Sequence, residues 1–364
     1  MFEIIFIIIV ASYFIQAVLI TLGIKKKFLK LNEDELPTST VIVAARNEEQ
    51  NILDCLTSLD ALEYPQNKLD IILVDDYSTD GTNKIISDFI IDKPNFKLIQ
   101  PEKDFGETKG KARAIANGIE FAKGEIILTT DADCTVPKTW AKTLASYYTE
   151  DVAVVCGYTN QKWENIFEGM QDFDFIYLLT VAAGTINWGK PMSAMGNNMS
   201  YRKSAYDEFG GYSKIPFSVT EDFKLLMAIK DLKKYKIIYP LDKDSLVTSK
   251  PCEDAKTLYR QKKRWAVGGT GSSLDGFFVI ASAFIVTLFT LAVPFFYSAT
   301  VMYILLFKIF TDLFMLKNVY DSLGLKFNLK NFLTFEFYIT FYFVSIALVV
   351  LFNKKVIWKE RNYE

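Results

Sequence analysis

Long apolar runs at both ends of the chain constrain what it can fold into. Phe2 to Ile24 carries a single charge, Glu3, and is followed by Lys25, Lys26, Lys27 and Lys30. A helix of that length and polarity spans a bilayer, and the basic residues after it mark its far side as cytoplasmic. A cleaved signal peptide would instead put its positive charges before the apolar run and a small-residue cleavage site after it, so an anchor is expected. Three further spans are expected at Phe277 to Phe296, Tyr297 to Leu316 and Phe332 to Phe352. Lys308 and Asp312 of the second lie four apart, placed to share a helix face as a buried pair. With three C-terminal spans, Lys354, Lys355, Lys359 and Arg361 would lie outside, against the positive-inside tendency, whereas Lys317, Lys326 and Lys330 favour an inward loop after the second span. The expected division is an anchor over 1–24, a linker over 25–39, a cytosolic domain over 40–270, transmembrane helices over 277–352 and a tail over 353–364.

The middle of the chain alternates short β-branched runs with helical ones. Thr40 to Ala45 reads as a strand, followed by Arg46-Asn47-Glu48-Glu49-Gln50-Asn51 opening an amphipathic helix through Leu62. Leu69 to Val74 repeats the pattern and stops at Asp75-Asp76, with Ser78, Asp80, Gly81 and Thr82 beyond. Phe96 to Ile99 and the helix around Lys109 to Gly118 lead into Ile126-Ile127-Leu128-Thr129-Thr130-Asp131-Ala132-Asp133. Such alternation implies a largely parallel sheet with right-handed crossovers. A buried strand ending in two carboxylates delivers Asp131 and Asp133 to the edge where open α/β sheets bind ligands. Two hard oxygen donors suit a divalent cation such as Mg²⁺ or Mn²⁺ that completes its shell with water and substrate phosphate.

Composition removes competing chemistries. The chain has no histidine, which excludes Ser-His-Asp and His-metal sites and leaves carboxylates as general bases. A net charge of -2 offers no nucleic-acid face, and the four scattered cysteines suggest neither a zinc site nor a disulfide framework.

In order and spacing, Ala-Ala-Arg46-Asn-Glu48-Glu, Val-Asp75-Asp76-x-Ser-x-Asp80-Gly-Thr, Gly110-Lys111-Ala-Arg-Ala and Asp131-Ala-Asp133 resemble the nucleotide-sugar domain of inverting family-two glycosyltransferases with a GT-A fold. The resemblance implies an α/β, Rossmann-like GT-A domain flanked by N-terminal and C-terminal transmembrane helices. It also implies residue roles: Arg46 and Glu48 beside the nucleoside and diphosphate, Asp75 or Asp76 near the uracil, Lys111 near the nucleotide, Asp131 toward ribose and metal, and Asp133 on the metal. A Gly-Asn-rich stretch, here Gly196-Asn197-Asn198, lines the donor-sugar pocket in that family. The Asp of Thr220-Glu221-Asp222 then corresponds to the base that takes the acceptor proton, with Glu221 acting or orienting a neighbour. Gln261-Lys262-Lys263-Arg264-Trp265 matches the Q-x-x-R-W element of membrane-embedded members such as cellulose and hyaluronan synthases and ceramide glucosyltransferases. There Gln261, Arg264 and Trp265 would serve the diphosphate and acceptor.

Plainer readings exist for each motif. Asp76, Ser78 and Asp80 suit turns and caps, Lys111 a solvated helix charge, Thr220 a helix cap, and Gln261 to Trp265 a basic membrane-surface helix. The aromatic residues Trp163, Phe167, Phe173 and Tyr177 recur at helical spacing and read as domain packing. Gly268 to Ser273 reads as a flexible cover or a connection. The expected activity is metal-dependent transfer from a UDP-sugar, with inversion, to a lipid or membrane-proximal glycan, by a cytosol-facing domain on the cell membrane. A processive polysaccharide synthase, a non-catalytic membrane scaffold and a nucleotidyltransferase are the alternatives. Neither the donor sugar nor the acceptor is legible.

Overall fold

The strands form where aliphatic and β-branched residues run unbroken, and they end where carboxylates begin. A computed structural model describes residues 1–269, 274–352, 355–358 and 361–363. The expectation of a flexible stretch over Gly268 to Ser273 therefore falls at 270–273 outside the described residues, as do Lys354 and Lys359. In chain order the main elements are α1 (Phe2–Ile24), β1 (Ser39–Ala45), α2 (Ile52–Asp60), β2 (Leu69–Asp75), α3 (Thr82–Phe89), β3 (Phe96–Ile99), α4 (Lys111–Phe121) and β4 (Ile126–Asp131). There follow α5 (Trp140–Ser146), β5 (Val152–Cys156), β6 (Thr159–Gln161), α6 (Ile166–Asn187), β7 (Met199–Arg202), α7 (Lys203–Glu208), α8 (Glu221–Asp231), β8 (Lys236–Ile238) and β9 (Val247–Ser249). The chain closes with α9 (Ala255–Gly268), α10 (Leu274–Ala292), α11 (Ala299–Leu323), α12 (Leu329–Phe352), β10 (Val356–Trp358) and β11 (Arg361–Tyr363).

Two compact units emerge. One comprises Lys27–Asn160 and Ala194–Lys250; the other comprises Met1–Lys26, Gln161–Ser193 and everything from Pro251. Segments 161–193 and 251–269, expected inside a single domain ending at 270, thus group with the apolar helices.

The first unit is built on a seven-stranded sheet in the order β3-β2-β1-β4-β7-β5-β8. Strands β1 to β4 are mutually parallel where they pair, and β7 is the antiparallel one, inserted between β4 and β5. Because β2 and β3 are laid down on one side of β1 and β4 lies on the other, the strand order reverses between β1 and β4. In open α/β sheets the crevice at that reversal, outside the strands' carboxyl ends, is the ligand position. Register puts Ala44 beside Asp131 and Ala45 beside Asp75, so the acidic ends of β2 and β4 flank the end of β1. Val41, Val43, Ile71, Leu73, Ile126 and Leu128 are completely buried against Leu56 and Trp140. Each such aliphatic side chain contributes about 1.5–3 kcal/mol on burial. That anchors the strands whose ends carry the site.

Among the described residues, the second unit contains four helices long and apolar enough to cross a membrane: Phe2–Ile24, Gly276–Phe295, Ala299–Leu323 and Leu329–Phe352. The expected limits shift because capping chemistry sets them. Ser298 Oγ accepts from the Val301 amide at 3.2 Å and Gly324 ends α11 in the left-handed region at φ 70°, so this helix runs past Leu316. Asn328 Oδ1 accepts from the Lys330 amide at 2.9 Å, starting α12 three residues before Phe332. Lys308 pairs with Asp312 at 2.9 Å as expected, and also with Glu336 of α12 at 2.7 Å; Tyr13 of α1 donates to Asp312 at 2.5 Å. All three charged side chains are buried. Phe173 of α6 stacks on Tyr320 of α11 with centroids 4.5 Å apart, so the aromatic face of α6 serves packing. Gly23 and Gly184 let α1 and α6 close together: a Cβ on Gly23 would stand 2.5 Å from the Gly184 carbonyl oxygen.

Candidate functional site

At the reversal point, the loops after β1 and β2 are bound to one another. The Asn47 amide donates to Ser78 Oγ at 3.1 Å, the Glu48 amide to Thr82 Oγ1 at 2.7 Å and the Glu49 amide to Asp80 Oδ2 at 3.1 Å. Asn47 and Tyr77 take positive φ, 52° and 55°, a conformation that costs an L-residue roughly 1–2 kcal/mol and is held by these bonds. Asp80 also accepts from the amide and hydroxyl of Thr82, so the turn role anticipated for Ser78 and Asp80 is what they perform.

The two adjacent carboxylates of the second loop differ. Asp75 accepts from the Ser78 amide, Asn83 Nδ2 and Gln100 Nε2, at 3.0, 2.9 and 3.1 Å. Burial alone would raise its carboxyl pKa, but these donors outweigh burial and hold it below the usual value. Its oxygens are thus engaged in building the loop. Asp76 is paired with Arg46 instead, Nη1 to Oδ2 at 3.8 Å, and the same nitrogen reaches the Asp76 carbonyl at 3.4 Å. Glu48 accepts from Asn51 Nδ2 at 2.8 Å at the head of α2.

Beside them, β4 ends at Asp131. Lys111, from the first turn of α4, forms an ion pair with Asp131 Oδ1 and lies 3.8 Å from Glu221 Oε1. Burial pulls the Lys111 ammonium down, yet Asp131 and then Glu221 more than compensate and hold it above its ordinary value. Asp133 follows two residues later. The thiols of Cys55 and Cys134 are pushed up first by burial and then by Asp133 and Asp131, so the two carboxylates project negative potential onto the same region. Among the described residues no group of three or more His, Cys, Asp and Glu forms an all-protein metal cage. Two carboxylates at one strand end fit an ion such as Mg²⁺ or Mn²⁺ that takes few protein ligands and keeps positions for water and phosphate.

Asp222 closes the arrangement from the N-terminus of α8. Its Oδ2 accepts from the Gly196 amide at 2.6 Å and its Oδ1 from the Phe223 amide at 2.8 Å. Thr220 occupies the N-cap without a side-chain cap bond, and Glu221 and Asp222 lie in the first turn, where the helix dipole favours negative charge. Gly196 is tied to β4, because Thr129 Oγ1 donates to its carbonyl at 2.8 Å. The asparagines after it face inward. Asn198 accepts from Trp140 Nε1 at 2.9 Å and donates to the carbonyls of Tyr158 and Ser245, while Asn197 accepts from Thr159 Oγ1 at 3.1 Å. What the Gly-Asn segment offers Asp222 is the Gly196 backbone amide, a contact the residue types did not disclose.

Lys111, Asp131, Glu221, Asp222 and Gly196 are therefore gathered in one compact unit, with Arg46 just after β1 and Asp76 just after β2. Gln261, Arg264 and Trp265 lie on α9, in the unit of apolar helices. There Trp265 stacks on Phe175 of α6, centroids 5.6 Å apart and planes at 20°.

The family model described as glycosyl transferase family 2 matches residues 40–210, and that described as glycosyl transferase family group 2 matches residues 126–353, more than half of the chain. The chain belongs to glycosyl transferase family group 2. The chain is 28% identical over 252 residues to the probable glycosyltransferase YdaM of Bacillus subtilis, covering 65% of this chain and 56% of that protein. It is 27% identical over 257 residues to a beta-monoglucosyldiacylglycerol synthase of Nostoc, covering 69% of this chain and 53% of the other. The chain thus spans about half the length of these two relatives. Over 334 residues it is 26% identical to the poly-beta-1,6-N-acetyl-D-glucosamine synthase of Staphylococcus epidermidis, covering 89% and 76%. The mannosyltransferase PcManGT from Pyrobaculum calidifontis, solved with GDP-Man and Mn²⁺, shares the fold: TM-score 0.63 and 19% identity over 97% of this chain and 100% of the other. The chain therefore has a mixed α/β GT-A fold.

Proposed function

We propose that this glycosyltransferase moves a sugar from a UDP-sugar, with inversion, to a lipid or membrane-proximal glycan acceptor. Its compact unit of Lys27–Asn160 and Ala194–Lys250 would face the cytosol at the cell membrane. The observation that carries this reading is the gathering of Lys111, Asp131, Glu221 and Asp222 at the carboxyl end of β4. In the proposed reaction Asp222 Oδ2 takes the proton of the acceptor hydroxyl. The acceptor oxygen bonds to the anomeric carbon while the bond from that carbon to the diphosphate oxygen breaks on the opposite face. Asp133 and Asp131 would hold a divalent cation, which supplies positive charge against the departing diphosphate. Lys111 stands between Asp131 and Glu221 and can be shared with a bound phosphate. Arg46 would be a multidentate donor for the diphosphate, with Asp76 and Glu48 beside the nucleoside, and the Q-x-x-R-W element would supply Gln261, Arg264 and Trp265 for the diphosphate and acceptor, as the family resemblance implies.

A processive polysaccharide synthase is the second reading. It is favoured by the long alignment with the Staphylococcus epidermidis synthase, which extends over 89% of this chain. One experiment addresses both. Purified full-length protein is screened for hydrolysis of nucleotide sugars with Mg²⁺ and with Mn²⁺, and products from labelled donor are sized and analysed by lipid mass spectrometry. A single added sugar on a lipid supports the first reading, and a ladder of long chains the second. Turnover of no nucleotide sugar, with an unaltered cellular phenotype in Asp133→Ala and Asp222→Asn, would favour a non-catalytic scaffold.

A further inference from the structure

We infer that one face of α6, formed by Gln171, Asp174 and Phe175, sets the register of α9 and so positions Arg264 and Trp265 for the transfer reaction. The inference rests on the role proposed above for Q-x-x-R-W. Residues 171, 174 and 175 are spaced i, i+3 and i+4, which places them on one stripe of a helix. Each holds a different part of the α9 element. Gln171 grips the chain before the helix with both ends of its carboxamide: Nε2 donates to the Cys252 carbonyl at 3.0 Å, and the Cys252 amide donates to Oε1 at 2.9 Å. Two residues later Asp254 Oδ1 accepts from the Thr257 amide at 2.7 Å and starts α9. Asp174 forms an ion pair with Lys262, and Phe175 carries the Trp265 ring.

Lys262 sits inside the motif yet is no candidate phosphate ligand, because only 2% of its surface is exposed. Its ammonium is spent on Asp174 and on the Trp265 ring, whose centroid is 4.7 Å away. Lys262, two residues before Arg264, and Trp265, one residue after it, are thereby both fixed to α6. One residue is 100° of helix rotation, so with Lys262 and Trp265 seated the direction of Arg264 is determined. A buried ion pair stabilises little compared with an apolar pair of similar volume, and the role inferred for this one is to fix the alignment of the helices that carry it. That asymmetry gives the test.

In full-length protein in detergent, Asp174→Val combined with Lys262→Met replaces the pair by an apolar contact and should keep the wild-type unfolding temperature. Transfer is followed with whichever of UDP-glucose and UDP-N-acetylglucosamine the wild type uses faster. Expected are a loss of kcat/KM for transfer of about 100-fold, as for a displaced positioning group, and unchanged UMP binding. Wild-type transfer by this double variant would overturn the inference, and an inactive Arg264→Ala control would show that the reading of α9 survives. Wild-type transfer by Arg264→Ala would instead remove that reading and the inference together. Phe175→Leu, which deletes only the ring stack, provides a second variant should the double one not fold. A roughly tenfold loss of transfer with UMP binding intact supports the inference, and no loss overturns it.

Discussion

Lys111 is the cation around which the acidic cluster is assembled, so its removal is the most informative single perturbation. Lys111→Met keeps much of the aliphatic stem but leaves Asp131 and Glu221 without the ammonium that now lies in an ion pair with the first and 3.8 Å from the second. At an effective dielectric constant of about 20, a unit pair at that separation is worth about 4 kcal/mol before desolvation. The Lys111 side chain is 16% exposed and that of Asp131 35%, so desolvation and screening take back about half. A net loss of about 2 kcal/mol is expected, lowering the unfolding temperature by about 4–8 °C in a unit of this size. The loss should be restored by millimolar Mn²⁺ or Mg²⁺, because the unneutralised carboxylates then bind the ion as a substitute charge. Thermal unfolding in detergent, with and without the ion, reads both effects. A variant as stable as the parent, or destabilised equally in chelator and in Mn²⁺, would refute the electrostatic reasoning.

Three further outcomes follow from the same contacts. Asp75→Asn should cost about 2 kcal/mol at neutral pH, since Asp75 accepts three hydrogen bonds as a carboxylate. The folded pKa of Asp75 is depressed, so the difference from wild type should persist above the unfolded value of 3.8 and vanish as pH falls through the lower folded value; a gap independent of pH in acid unfolding would contradict this. Gly196→Ala places a Cβ 3.2 Å from Asp222 Cβ and 3.3 Å from its Oδ2, and should lower kcat roughly tenfold with donor KM unchanged in steady-state kinetics. Lys308→Met leaves Asp312 and Glu336 buried without their cation and should cost about 3–5 kcal/mol, measured by unfolding in detergent.

The βα units were legible because their strands bury both faces and advertise it as unbroken aliphatic runs, with carboxylates appearing where the chain leaves the core. Strand β7 was not. Met199 to Arg202 is short and half polar, and Ser200 is buried only because it hydrogen-bonds Tyr148 and Val155, partners remote in sequence. The same limit explains Asp75 and Asp76: adjacent and identical in type, they are told apart by donors on Ser78, Asn83 and Gln100 for the first and by Arg46 for the second, which no local pattern announces. Lys262 looked like one more basic residue on a surface helix. Its burial depends on Asp174, far away in sequence, and pairing of that kind leaves no periodic trace.

The proposed chemistry stands or falls with Asp222. Asp222→Asn is nearly isosteric; it removes the capacity to take a proton and keeps one oxygen for the two backbone amides, of Gly196 and Phe223, that Asp222 now accepts from, so full-length protein carrying it should bind the nucleotide sugar as the wild type does while transferring sugar at least 100-fold more slowly. Rates and donor affinity measured on the same preparation would test this directly. Wild-type transfer by Asp222→Asn would contradict the assignment of the base and, with it, the proposed mechanism.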